Sequence, residues 1–359
     1  MADQTKNPMH QEEVLIAVKD GKIRFYNNAA AKLIENIGSK TPEEIFPCEL
    51  LAHGADSYVG GAVIAGVLTT VTVTMIDDCR IMSFYLPVRK CDRETYGLLS
   101  AVSMELKNML SVLKMSSNLL LPYIENLGNP RLVRYGAMIY HCYYNMLRIT
   151  NNLSDLDGIL RDDVPMDRKS FDLVAVCRDL IDSAQHLVQG TGVTLKFSSD
   201  EQNLVIYADQ SKIEKMVLNL LSNSLACTPP GGNLAVSVMS ANMRCVVTVS
   251  DDGQGIDSEA LRSAWNKYHV LKEISDTETG LGMGLTIVQN IARLHGGSAV
   301  LESRPGAGTT VTVSIPLTQP DETDFRTSRV DYESEGMQQL LTELSGVISY
   351  DQYSQLYMD

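Results

Sequence analysis

Residues 212–229, KIEKMVLNLLSNSLACTP, are the stretch on which the reading of this chain turns. Their apolar residues fall at helical spacing, and Asn219 and Asn223 stand four apart, so one helix face carries both amides. An amide oxygen on such a face suits Mg2+, a hard cation that prefers oxygen ligands and keeps several waters. Two helical asparagines specify nothing by themselves. Three stretches downstream supply the context.

VTVSDDGQGI, residues 247–256, is a β-type run that ends on Asp251 and breaks at Gly253 and Gly255. A carboxylate at a strand end accepts a hydrogen bond from an exocyclic amine, and the glycines let the backbone turn at positive φ and approach a planar ring. TGLGMGLTIVQNIARLHGG, 279–297, sets Gly280, Gly282 and Gly284 before an apolar helix. Glycine-rich backbone at a helix N-terminus offers free N–H groups and a favourable dipole to phosphate. It is not the dinucleotide-binding pattern, because the preceding LKEISDTET (271–279) is polar rather than strand-like. SRPGAGTTVTVSIPL, 303–317, adds a glycine turn ahead of a last strand.

In this order and spacing the four stretches resemble the nucleotide-binding fold of the histidine kinase, gyrase and mismatch-repair ATPases, over residues 171–317. The resemblance implies an α/β sandwich that binds ATP with Mg2+. It assigns Asp251 to the adenine amine and Asn223 to Mg2+, with Asn219 on the same face. Gly253 and Gly255 would shape the adenine pocket, Gly280, Gly282 and Gly284 would anchor a phosphate-side lid, and Thr309 joins the cofactor-binding positions. Residues 257–279 would be that lid, with Trp265 as a packing residue coupling it to the domain. His295 reads as the residue that closes its helix before the Gly pair.

Upstream, Leu98, Leu99, Val102, Leu106, Met109, Leu110, Leu113, Leu120 and Leu121 recur at three- and four-residue steps. Pro122 and the Gly128-Asn129-Pro130 cluster interrupt. A second run spans 132–160, with Ile139, Met146, Ile149, Leu153 and Leu156. Two amphipathic helices make a hairpin, which buries its stripe best against a second copy, so a four-helix homodimer is expected. LLSAVSMELKNML, 98–110, resembles the phosphoacceptor helix of sensor histidine kinases, but the acceptor position holds Met104. A thioether offers no nucleophile that forms a phosphoramidate, so ordinary self-phosphorylation on this helix is excluded. A second departure is Ala226 and Cys227, where these kinases place Lys and an aromatic residue.

The neighbours of Met104 keep more of the pattern. Glu105 retains the acidic position, and Glu105 with Asn108 resembles the family's phosphatase pair, in which an amide orients water against an aspartyl phosphate. The plain alternative is a pair of solvated helix residues. His141 in MIYHCYYNML is a second candidate acceptor, although a lone His among aromatic neighbours reads first as a packed core residue. The partner implied is a response regulator or a partner kinase. The enzymatic expectation is phosphoryl transfer in a two-component relay. The rival is a degenerate kinase acting as phosphatase or binding regulator.

The N-terminal ninety residues read as a small α/β module: strands over 13–18 and 22–26 around an Asp20-Gly21 turn, a helix over 27–37, and β-type runs over 62–76 and 79–88. VLIAVKDGKIRFYNNAAAKL, 14–33, resembles a PAS domain, which implies a sensory or dimerising module. At the other end, residues 318–359 carry nine acids and two arginines, half of the total charge of −14. Residues 321–335 read as disordered, and 337–348 as a short docking helix bearing Leu340, Leu341, Leu344, Val347 and Ile348.

The whole is a multidomain α+β chain: a PAS-like module (1–92), a dimerising hairpin (93–165), an ATP-binding α/β sandwich (166–318) and an acidic tail (319–359). Its acidity argues against a nucleic-acid partner, since a net charge of −14 repels a phosphate backbone. Seven scattered cysteines without a CxxC pair give neither a zinc site nor a disulfide framework, and fit a reducing cytoplasm. One charge-free run, 59–76, holds three Gly and four Thr. It reads as strand rather than membrane helix.

Overall fold

A computed structural model describes residues 14–52, 57–64, 67–76, 78–84, 93–161, 163–257, 261, 283–317 and 335–357. The chain divides into two compact units, Met1–Lys90 with Val300–Glu302 and Cys91–Ala299 with Ser303–Asp359.

In the first unit, β1 (Val14–Lys19) and β2 (Lys22–Tyr26) form a hairpin across Asp20 and Gly21, both at positive φ. Strands β3 (Ser57–Ile64), β4 (Val67–Ile76) and β5 (Cys79–Phe84) complete an antiparallel sheet in the order β2-β1-β5-β4-β3. Alternate residues of β1 face inward, so Val14, Ile16 and Val18 pack with Val71, Val73 and Phe84. Two helices, α1 (Asn28–Leu33) and α2 (Cys48–Ala52), lie between β2 and β3. The run expected over 62–76 is two antiparallel strands, β3 and β4. The helix expected over 27–37 stops at Leu33, because Ile34 is extended and Asn36 enters the left-handed region at φ 55.

The second unit opens with a helical hairpin, α3 (Arg93–Asn126) and α4 (Pro130–Arg161). Pro122 does not end α3, contrary to the sequence reading. Proline costs a helix interior about 3 kcal/mol. Leu121, 2% exposed, seats against Gly136 of α4 so closely that a methyl at 136 would lie 2.5 Å from it, and this packing carries the helix past Pro122. The stripe read from the sequence is only partly covered within one chain. Leu110, Leu121 and Leu156 are buried, whereas Met109 and Leu120 are more than half exposed.

The remainder is an α/β layer. Strands β7 (Thr194–Ser199), β9 (Asn233–Ala241), β10 (Arg244–Asp251), β11 (Ser298–Ser303) and β12 (Thr309–Pro316) line up as β11-β12-β10-β9-β7. Helices α5 (Leu173–Val188), α6 (Gln210–Cys227) and α7 (Gly284–Leu294) pack on this sheet, and β6 (Lys169–Asp172) with β8 (Val205–Ala208) forms a small second one. Helix α6 packs on β10, and Cys245, Val247 and Val249 of the strand and Val217, Leu220 and Leu221 of the helix are all fully buried. The chain returns as α8 (Glu335–Glu343) and a 3-10 helix, Tyr350–Tyr357, both packed on α4. Helix α8 ends at Glu343, short of the 348 read from the sequence, and Leu340, Leu341, Leu344 and Ile348 are buried. No helix among the described residues is long and apolar enough to cross a membrane.

Candidate functional site

Asp251 ends β10, directly opposite Thr309 of β12 and Leu234 of β9. Strand pairing therefore delivers its side chain to the open end of the sheet, where it is 6% exposed. Its Oδ1 accepts two backbone N–H groups, from Gly253 and from Thr309, each at 3.1 Å. Oδ2 meets no donor among the described residues, which leaves one carboxylate oxygen for an outside amine. Thr309 thus acts through its backbone on the carboxylate, while its Oγ1 lies 2.9 Å from Ser303 Oγ.

Two glycine loops interlock around this carboxylate. A methyl on Gly253 would stand 2.5 Å from the Cys227 carbonyl, and the Gln254 N–H donates to that same oxygen at 3.3 Å, so the loop rests on the end of α6. Gly255 has φ +68, and a methyl there would lie 2.0 Å from the Arg304 carbonyl. The adjacent Asp252 has a separate job. It is exposed and holds the start of β9 through the Asn233 N–H at 2.7 Å and the Asn233 amide at 2.8 Å, bonds that keep its carboxyl below the usual range.

On α6, Asn219 is completely buried and Asn223 half-buried. The Asn219 Nδ2 donates to the Lys215 carbonyl at 2.9 Å and to Glu343 Oε2 at 3.4 Å, whereas Oδ1 finds no partner among the described residues. A methyl on Gly284, the first residue of α7, would sit 3.1 Å from Asn219 Oδ1 and 3.3 Å from the Asn223 amide. Any larger residue at 284 would press on the two amides, so α7 begins close against the pair. Met283 at its N-cap gives no side-chain cap, and the first turn contains no acid, so the first N–H groups stay available to an anion.

These residues fit a magnesium nucleotide. An orphaned, fully buried amide oxygen and an uncapped helix start face one another, and one carboxylate oxygen is left over at the sheet end. Among the described residues no three His, Cys, Asp or Glu side chains converge as metal ligands. A cation here would rely on amide oxygens and on the phosphates themselves.

The structure joins Asp251, Gly253, Gly255 and Thr309 at one end of the sheet, and Asn219, Asn223 and Gly284 beside α7. Gly280, Gly282, Trp265, His269 and nearly all of the expected lid lie outside the described residues. Met104, Glu105 and Asn108 are exposed on α3, away from these hydrogen bonds. His141 is half-buried, with its ring edge-on to Tyr353 at 5.6 Å. His295 caps α7 from a buried position, as its place before the Gly pair suggests.

One group escaped the sequence reading. Glu343 on α8 lies 3.6 Å from Lys215 Nζ of α6 and 3.8 Å from Arg148 Nε of α4, and Lys215 also pairs with Asp155 of α4. Burial pushes the Glu343 carboxyl up, against the pull of Lys215 and Arg148. An acid among leucines in a predicted docking helix was the only sign of it.

Residues 208–319 match the family described as histidine kinase-, DNA gyrase B-, and HSP90-like ATPase. The histidine protein kinase DivJ of Caulobacter vibrioides is 29% identical over 263 residues, which cover 71% of this chain and 42% of DivJ. The adaptive-response sensory kinase SasA of Parasynechococcus marenigrum is 28% identical over 196 residues, covering 54% of this chain and 51% of SasA. The chain thus spans about half the length or less of these relatives. Among solved structures, full-length ShkA in complex with AMPPNP superposes with a TM-score of 0.50 at 18% identity, over 62% of this chain and 46% of ShkA, a likeness of fold. The chain is homologous to histidine kinases, and its residues 208–319 belong to the histidine kinase-, DNA gyrase B-, and HSP90-like ATPase family.

Proposed function

We propose that this protein binds Mg-ATP in the pocket between Asp251 and the asparagine pair, and regulates phosphoryl flux to a response regulator in a two-component system. The observation that carries the reading is the split commitment of Asp251: one oxygen held by Gly253 and Thr309, the other left over beside a glycine loop packed on the Cys227 and Arg304 carbonyls. Asp251 would accept the adenine amine, with Gly253, Gly255 and Thr309 holding it in place. Asn223, with Asn219, would hold the cation, and the start of α7 at Gly284, with Gly280 and Gly282, would receive the phosphates. Bound Mg-ATP supplies a transferable phosphoryl group whose charge the metal offsets. The hairpin α3–α4 would dimerise the chain through its open stripe, the PAS-like module would sense or dimerise, and the setting would be the cytoplasm.

Met104 favours a second reading. It is 67% exposed where the resemblance expects an acceptor, and it has no nitrogen to phosphorylate. A degenerate kinase would use the nucleotide to set its dimer geometry and act on a partner, with Glu105 and Asn108 orienting water against a regulator's aspartyl phosphate.

Calorimetric titration of the full chain with Mg-ATP, in competition with ADP, tests the pocket. Asn at 251 keeps an oxygen for the two backbone donors but turns an NH2 toward the adenine amine. Asp251→Asn is therefore expected to weaken binding by about tenfold or more. No heat from the unmodified chain sinks the reading. Incubation with γ-labelled ATP then separates the two branches. Acid-labile label that vanishes in His141→Ala selects the kinase, and absence of label with binding intact selects the regulator. Regulator dephosphorylation lost in Asn108→Ala selects its phosphatase form.

A further inference from the structure

The C-terminal segment brings one acid to the asparagine pair. Glu343 is 2% exposed, and its Oε2 accepts from Asn219 Nδ2 at 3.4 Å, while the Lys215 carbonyl accepts from the same nitrogen at 2.9 Å. Both partners only accept. A side-chain amide, whose two ends are otherwise interchangeable, satisfies them in one orientation alone, with its NH2 toward them and its oxygen turned away. That oxygen, Oδ1, is buried without a donor among the described residues and lies where a methyl on Gly284 would come within 3.1 Å. An unmatched buried oxygen is costly unless a ligand meets it.

Stability alone explains Glu343 poorly. A carboxylate buried against Lys215 and Arg148 loses its hydration, and such clusters are often matched or bettered by apolar residues of the same size. Orientation of the amide gives the acid a task that a leucine could not perform. The task also gives a reason for Glu343, 124 residues downstream of Asn219 in the chain, to return to α6.

We propose that Glu343, carried by the C-terminal helix, is a positioning residue of the nucleotide site that holds the Asn219 amide with its oxygen toward Gly284, so that residues 335–357 complete the cation- and phosphate-binding half of that site. The inference rests on the nucleotide reading above. Glu343 touches neither metal nor phosphate and acts through Asn219.

The test is calorimetry on the full chain with two probes, Mg-ATP and adenosine, in Glu343→Ala and Glu343→Gln. Glu343→Ala frees the amide and is expected to weaken Mg-ATP binding by about tenfold, with adenosine binding held within about twofold. Glu343→Gln keeps an acceptor oxygen at the site and is expected to recover most of the Mg-ATP affinity. Unchanged Mg-ATP binding in Glu343→Ala overturns the proposal, as does an equal loss for both probes, which would mark a purely structural acid. A wild-type chain that binds neither probe overturns the nucleotide reading, and this inference with it. Wild-type binding that Glu343→Ala leaves intact overturns this inference alone.

Discussion

The imidazole of His295 accepts, at Nε2, the backbone N–H of Asp209 at 3.0 Å, while its Nδ1 lies 2.8 Å from the Ile291 carbonyl. One ring thereby closes the end of α7 and fastens it to the N-cap of α6, the helix that carries both asparagines. Asp209 caps α6 in turn. Burial works to raise its carboxyl, but bonds from the Asp167 N–H, Ser211 and Lys212 outweigh that and hold it below the usual range.

This bond predicts an acid-sensitive fold. Nε2 accepts only when the ring is neutral, and burial pushes His295 below its ordinary 6.5, with Arg168 and Lys212 adding to the effect and the Ile291 carbonyl and Asp209 opposing it. The unfolded chain then takes up a proton before the folded one does. The stability His295 contributes is complete above 6.5 and is lost as pH falls through the lowered folded value. Melting temperatures are expected to drop on acidification from about pH 7 to about pH 5, and His295→Gln, which offers an amide oxygen to Asp209, should flatten part of that slope. Equal slopes in both proteins would remove His295 as the cause.

Gly308 and Gly306 make a matched pair for the pocket. Both have positive φ, +84 and +74, yet a methyl on Gly308 would stand 1.9 Å from the Asp251 carbonyl, and one on Gly306 would meet nothing within 4 Å. Gly306→Ala should cost only the left-handed backbone, about 1–2 kcal/mol. Gly308→Ala must also push Asp251 aside, so about 3 kcal/mol or more is expected, together with loss of nucleotide binding. Denaturant midpoints of the two variants decide it, and equal shifts would mean that the loops do not interlock.

The open stripe on α3 predicts the oligomeric state. Met109, Val112, Met115, Leu119 and Tyr123 are 58–74% exposed and recur at steps of three and four, one continuous seam. Such a seam is stable in water only against another apolar face. The full chain is expected to sediment as a dimer, and Val112→Glu combined with Leu119→Glu as a monomer. A monomeric wild-type chain at micromolar concentration would refute a pairing role for the seam.

What the sequence told and withheld follows from how local each cause is. The α6 amides and the Asp251 strand end were legible because helical spacing and β-type runs are written in neighbouring residues. The continuation of α3 through Pro122 was not, since Leu121 on Gly136 is a contact between two helices. Nor was the role of Thr309, which serves Asp251 by its backbone N–H and not by its hydroxyl. Glu343 was the least visible. Its three partners, Arg148, Lys215 and Asn219, are met only through tertiary packing, and the acid sits in a stretch whose pattern announces nothing beyond a short amphipathic helix.

Tyr353 offers a direct handle on that segment. Fully buried, it stacks on Tyr144 at 5.4 Å and meets the edge of His141 at 5.6 Å, and its hydroxyl donates to the Leu341 carbonyl at 3.1 Å. Burial pushes its phenol, and that of Tyr144 to about 12, well above the ordinary value, so both phenols stay neutral at any physiological pH. Removing such a ring from a packed site costs about 3–5 kcal/mol. Because the ring's contacts run to α4 and back to α8, the loss should fall on the docking of residues 335–357, while the sheet core keeps its own packing. Hydrogen exchange on Tyr353→Ala is expected to show amides of 336–353 losing protection while those of β9, β10 and β12 keep theirs. Unchanged protection across 336–353 would mean that the segment is held without this aromatic anchor, and uniform loss over the whole unit would mean that the segment and the sheet unfold as one.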